Sequence, residues 1–205
     1  MQKQSPRRYI IKEIFYSLQG EGIRAGTANV FVRFAGCNLS CTKAVEGFDC
    51  DTDFSGGMPM TSDEIFTAID EFTDRKPVPI VWTGGEPALQ LDSELTAKAT
   101  NRGHYQAVET NGTLRLPSNI SWIAVSPKRG HALQIASAHE ARYVLSYGMT
   151  PPDPQPVAAL YNIVSPAYEE NGELLDANLK WCVDICKKLP TWRLSIQQHK
   201  EWGIR

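Results

Sequence analysis

This sequence has little of what a membrane or nucleic-acid partner would require. No apolar run approaches the length of a bilayer span, which takes about 20 residues. Charge of neither sign dominates: 21 Lys and Arg stand against 23 Asp and Glu, a net charge of -2. That balance gives no electrostatic reason to expect nucleic acid or an anionic membrane as a partner. The opening stretch, Met1 to Arg8, is not followed by the apolar block of a secretory signal, so the chain is expected in the cytoplasm. Internal repeats are absent. The four histidines form no spaced cluster. Five cysteines in such a chain read as thiols or metal ligands before disulfides, because the cytosol is reducing. Three of them, Cys37, Cys41 and Cys50, fall within one short stretch, and no fourth joins them.

That missing fourth cysteine bears on the chemistry. Soft thiolates select iron–sulfur clusters or zinc. A structural zinc site takes four protein ligands, usually in closely spaced pairs. Here the gaps are three and eight residues, and the nearest histidine, His104, is far along the chain. A four-iron cluster held by three thiolates keeps one iron free to bind a ligand. A zinc knuckle and unrelated buried thiols are the competing readings. Cys182 and Cys186 sit one helical turn apart on an apolar stripe and read as core packing.

With 205 residues, 42% hydrophobic and 21% charged, the chain fits one globular domain spanning residues 1–205. Strand-like runs occur at 9–15, 30–34, 78–83, 105–109, 122–126, 141–146, 158–164 and 192–197. Three helices are predicted. One starts at Thr61 with Glu64 placed to close a capping box. A second follows Asp92. The third carries Leu175, Leu179, Cys182, Val183 and Cys186 until Pro190 stops it. Alternating strands and helices imply an α/β fold with a mainly parallel sheet. A complete eightfold barrel takes about 250 residues, and residues 111–172 offer strands with no clear helix between them. The expectation is a partial, open TIM-like barrel with few helices. The proline-rich run 151–156 reads as a stiff surface loop.

The cysteine stretch follows the apolar run Val30–Phe34. Gly36-Cys37-Asn38-Leu39-Ser40-Cys41 with Cys50-Asp51-Thr52 resembles the cluster motif of radical S-adenosylmethionine enzymes. There the gaps are usually three and two residues, so Thr42–Phe48 reads here as an insertion. Thr83-Gly84-Gly85-Glu86-Pro87, after the strand-like Val78–Trp82, is similar to the superfamily segment that binds the amino group of S-adenosylmethionine. Alone it would pass for an ordinary turn. Adding Ser17–Gly22, Phe31–Cys37, Cys50–Phe54, Glu109–Thr113 and Ser126–Lys128, the chain resembles the 7-carboxy-7-deazaguanine synthase family. The likeness runs from Glu13 to about Lys128 and returns at Gln198-His199-Lys200.

That resemblance implies a carbon–nitrogen lyase. It would convert 6-carboxy-5,6,7,8-tetrahydropterin to 7-carboxy-7-deazaguanine with loss of ammonia, on the way to queuosine and related 7-deazaguanines. It implies a 4Fe-4S cluster on Cys37, Cys41 and Cys50, S-adenosylmethionine, and Mg2+ with Thr52 as its protein ligand. A pterin presents an edge of N–H donors that a carboxylate matches with two parallel hydrogen bonds. Glu109, at a strand end, is the candidate for that contact. Leu18, Gln19, Gly20, Glu21 and Thr83 join it on the substrate side, with Arg33 for a substrate carboxylate and Arg205 reaching in from the end of the chain. Gly84, Gly85, Glu86, Ser126, Pro127, Lys128, Ser165, Pro166, Ala167 and Tyr168 are implied at S-adenosylmethionine. An electron donor such as flavodoxin or ferredoxin and a homodimer are implied as partners. A glycyl-radical activating enzyme would share the cysteine loop and the glycine motif but would need a groove for a peptide. A zinc or cluster module that only scaffolds or carries electrons is the non-enzymatic alternative.

Overall fold

The strand-like runs pair into one sheet. The computed structural model describes residues 6–169 and 171–205, so residues 1–5 of the stretch read for a signal lie outside the described residues. Its strands are β1 (Arg8–Leu18), β2 (Ala28–Phe34), β3 (Met58–Thr61), β4 (Ile80–Gly84), β5 (Gln106–Thr110), β6 (Trp122–Val125), β7 (Ser137–Leu145), β8 (Ala158–Pro166) and β9 (Trp192–Leu194). They lie in the order β3-β1-β2-β4-β5-β6-β7-β8-β9. β1 runs antiparallel to β2 and β3, and every pair from β2 onward is parallel. Parallel pairing brings the carboxyl ends of β2 and β4–β9 to one rim. The order ends at β3 and β9, which do not pair with each other among the described residues, so the barrel is open as expected.

Period-two alternation decides what faces the rim cavity. Val30, Val32 and Phe34 of β2 turn toward the helices. There they are buried with Ile65, Phe66 and Ile69 of α2 (Ser62–Thr73) and Leu95 and Ala99 of α3 (Ser93–Asn101). Phe31, Val81 and Ala107 turn the other way and pack with Phe15 and Trp122. Arg33, Thr83 and Glu109 each follow one of these three by two positions. They therefore share the concave face, nearer the rim, and Arg33 lies beside Thr83 in the β2–β4 register.

Thr61 closes the expected capping box. Its Oγ1 accepts from the Glu64 N–H at 3.3 Å, and Glu64 Oε2 accepts from the Thr61 N–H at 2.6 Å. Asp92 caps α3 through the Leu95 N–H at 2.9 Å. The third helix, α4 (Asp176–Lys188), corrects the predicted stripe. Leu175 is its exposed N-cap, and the buried face is Asn178, Cys182 and Ile185. Asn178 can be buried because its amide donates to the Ala167 carbonyl and accepts from the Tyr147 N–H. Between β5 and α4 no helix forms among the described residues. Leu116, Ile120, Leu133 and Ile135 from loops cover the sheet there instead. Sequence reading missed β3, α1 (Lys43–Glu46) and α5 (Gln198–Glu201), and it drew β9 too long. Among the described residues no helix is long and apolar enough to cross a membrane.

Candidate active site

A cavity of about 600 Å³ opens at the rim. Cys37, Cys41 and Cys50 line it, and so do Gln19, Arg33, Thr83 and Glu109. The cysteine loop is fixed where it leaves β2. Gly36 takes a left-handed φ of 86°, and its N–H donates to the Phe54 carbonyl at 2.9 Å. The Glu86 N–H then donates to the Gly36 carbonyl at 3.0 Å, tying the end of β4 to the root of the loop. That approach explains the glycine pair. A Cβ at Gly84 would strike the Phe34 backbone, and one at Gly85 would strike the Gly36 carbonyl and Cys37.

The thiols suit a cluster. Cys37 Sγ accepts the Leu39 N–H at 3.4 Å, the kind of amide contact that tunes cluster sulfurs. Burial pushes the Cys37 and Cys41 thiols up, and Lys128 favours the Cys41 thiolate. Among the described residues no three His, Cys, Asp or Glu side chains gather closely enough to hold a single ion. A cluster differs in offering each thiolate its own iron. The insertion between Cys41 and Cys50 forms α1, whose Glu46 is buried and accepts from the Arg129 N–H at 3.0 Å. Phe48 lines the cavity beneath Lys128. Lys128 donates to Ser126 Oγ at 2.9 Å, and both residues line the cavity. Thr52 lines it as well.

On the opposite wall, Glu109 accepts from Gln19 Nε2 at 2.9 Å and from Arg142 at 2.8 Å. Burial raises its carboxyl, Arg142 opposes that, and Glu140 and Glu21 add to it, leaving its pKa at about 7. Leu18, Gly20 and Glu21 also line the cavity. Gly20 carries no side chain because His199 packs directly on it. Arg33 pairs through Nε with Glu13, its cross-strand neighbour, at 2.8 Å. Glu13 also holds Arg205 at 2.9 Å, so the last residue reaches the cavity.

Several residues implied at the cofactor are not among those lining this cavity. Glu86 is fully buried and does not line the cavity. Its carboxylate accepts from the Ala88 and Asn111 N–H groups and from Thr110 Oγ1, at 2.9, 2.7 and 2.8 Å, and so joins the ends of β4 and β5. Pro127 is also outside the lining, although its neighbours Ser126 and Lys128 are within it. Ser165, Pro166, Ala167 and Tyr168 stand off the lining too; β8 lies beside β7 in the sheet, and of the register pair Val144–Ser165 only Val144 lines the cavity. Tyr168 touches the site indirectly, its hydroxyl accepting from the N–H of the lining residue Gln197.

Sequence reading missed Arg142 and Glu140. The signal was there, since two charges two positions apart in an apolar strand share one face. It also missed Asp51, which accepts from Gln197 at 2.9 Å and ties the cluster loop to the C-terminal segment.

Comparison with known proteins meets this geometry. A family described as a 4Fe-4S single cluster domain matches residues 18–114. A 7-carboxy-7-deazaguanine synthase of Bradyrhizobium diazoefficiens is 38% identical, covering 96% of this chain and 99% of that protein. One from Bacteroides thetaiotaomicron is 39% identical over 95% and 98%, and one from Nitratidesulfovibrio vulgaris 40% identical over 96% and 99%. The fold is that of QueE from Escherichia coli, with a TM-score of 0.68 at 23% identity, covering 94% of this chain and 95% of that one. With relatives of this identity spanning nearly its whole length, the chain belongs to the 7-carboxy-7-deazaguanine synthase family.

Proposed function

We propose that this chain converts 6-carboxy-5,6,7,8-tetrahydropterin to 7-carboxy-7-deazaguanine with release of ammonia, in the synthesis of queuosine and related 7-deazaguanines. One observation carries the reading: a single cavity joins three cysteine thiols to a polar wall of Gln19, Arg33, Thr83 and Glu109. Cys37, Cys41 and Cys50 would hold a 4Fe-4S cluster, which with bound S-adenosylmethionine supplies the 5′-deoxyadenosyl radical that takes hydrogen from C6 of the pterin. Gly84 and Gly85 let the backbone approach S-adenosylmethionine, with Ser126 and Lys128 beside it. Glu109 and Gln19 face the N–H-rich edge of the ring, and Leu18 and Gly20 wall it. Among the described residues only the Nε of Arg33 is engaged, which leaves its terminal nitrogens for the substrate carboxylate. Thr52 offers a hydroxyl to Mg2+, an ion that favours oxygen and keeps substrate and water in its shell. A cytoplasmic location, a single domain, a homodimer and reduction by a flavodoxin or ferredoxin belong to the same reading. The test is an anaerobic assay of reconstituted protein with the carboxypterin, S-adenosylmethionine and reductant, with and without magnesium. Equal amounts of 7-carboxy-7-deazaguanine and ammonium support it. Intact pterin in the presence of a loaded cluster overturns it.

A further inference from the structure

We propose that Arg142 is a positioning residue that fixes Glu21 and Glu109 as a pair of acceptors for the donor edge of the pterin, with Glu140 as its buried counter-charge. The inference rests on the pterin reading above. Arg142 reaches all three carboxylates from one guanidinium: Glu21 at 2.6 Å, Glu109 at 2.8 Å and Glu140 at 3.0 Å. Burial disfavours its charge, yet Glu109, Glu21 and Glu140 together hold its pKa well above the ordinary value. Such a network is costly to bury, and an apolar cluster of the same volume would hold the fold as well or better. Its presence beside a cavity points to a ligand.

The three carboxylates divide by exposure. The Glu140 side chain is 2% exposed, whereas those of Glu21 and Glu109 are 21% and 25% exposed. Both oxygens of Glu140 are committed, Oε1 to Arg142 and Oε2 to the Ile23 N–H at 2.8 Å. Gly22 makes room for it, since a Cβ there would lie 2.5 Å from both oxygens. Glu140 is therefore an internal anchor. Glu21 and Glu109 line the cavity, and each gives Oε2 to Arg142; Glu109 Oε1 also accepts from Gln19, and a carboxylate oxygen has room for a second donor. One guanidinium against three carboxylates leaves an excess of acceptors, the complement of an edge rich in N–H groups.

The arrangement also sets the charge state of Glu109. The groups facing it are Arg142 and Glu140 from β7, with Gln19, Glu21 and Arg24 from the segment joining β1 to β2. Of these, Arg142 favours its ionised form most. Without the guanidinium Glu109 takes up a proton at higher pH and presents a donor to a donor.

Arg142→Lys keeps the charge and loses the planar fork, while Arg142→Gln loses both. The experiment is anaerobic calorimetry of the cluster-loaded protein with S-adenosylmethionine, titrated with 6-carboxypterin and with 6-carboxylumazine, which lacks the 2-amino group, between pH 6 and 9. Kinetics with carboxytetrahydropterin accompany it. Wild type prefers the pterin. In Arg142→Lys that preference falls about tenfold and KM rises more than kcat falls. In Arg142→Gln the acid limit of binding also moves up, by about one pH unit. If the Lys variant folds and keeps the preference and KM of wild type, Arg142 is structural and the proposal fails while the pterin reading stands. If wild type itself does not distinguish the two ligands, both fail.

Discussion

Glu109, next to the end of β5, carries a carboxyl whose pKa burial raises to about 7, well above the ordinary carboxylate range. Its folded pKa exceeds its unfolded one, so its contribution to stability is present at low pH and lost as pH rises from about 4.5 to about 7. Glu109→Gln removes that titration. The urea midpoint of wild type should therefore fall relative to the Gln variant between pH 5 and pH 7.5, and a difference that stays constant or shifts in favour of wild type as pH rises would contradict the assignment. Residue identities were legible in the sequence where alternation or a motif marked them, as with Arg33, Thr83 and Glu109. The burial of Glu86 was not legible, because a motif names a residue without saying which way it points. It lies buried, accepting three hydrogen bonds, and burial raises its carboxyl.

At the scale of elements, the fit between the end of β4 and the cysteine loop is the feature the chemistry depends on. Gly85→Ala must push back either the Gly36 carbonyl or Cys37. It should cost about 1–3 kcal/mol and lower the iron bound on reconstitution. Thr61→Ala should cost about 1 kcal/mol through loss of the α2 cap and leave iron content unchanged. Equal iron loss in both variants, read by iron analysis against urea midpoints, would show that the glycine contact has no special role. The capped helices α2 and α3 were readable because cap residues act locally. α4 misled because its buried face includes Asn178, whose partners come from distant segments. β3 escaped notice because it is a four-residue edge strand carrying Pro59, with no β-branched run before Thr61.

Across the whole molecule, the open barrel leaves its mouth to be narrowed by the C-terminal segment. Gln197, His199, Lys200 and Arg205 line the cavity. The Gln198 N–H donates to the Gly20 carbonyl at 2.9 Å, and Gln197 and Lys200 reach Asp51 at 2.9 and 3.7 Å. Deleting residues 197–205 removes these ties but no strand. The circular dichroism of the sheet should persist while KM for the pterin rises about tenfold or more, and an unchanged KM would contradict the role given to this segment. The openness of the barrel followed from chain length and strand count, whereas the strand order came only with the structure. Arg205 was expected at the cavity, but the tie of Gln197 to Asp51 was not, because it joins residues more than 140 positions apart.

The central claim is that the two walls of this cavity serve one reaction that returns S-adenosylmethionine unconsumed. The direct measurement is product formed per S-adenosylmethionine with carboxytetrahydropterin in excess. The account predicts many equivalents of 7-carboxy-7-deazaguanine with S-adenosylmethionine recovered. Product that stops at one equivalent, with 5′-deoxyadenosine and methionine accumulating in step, would contradict it.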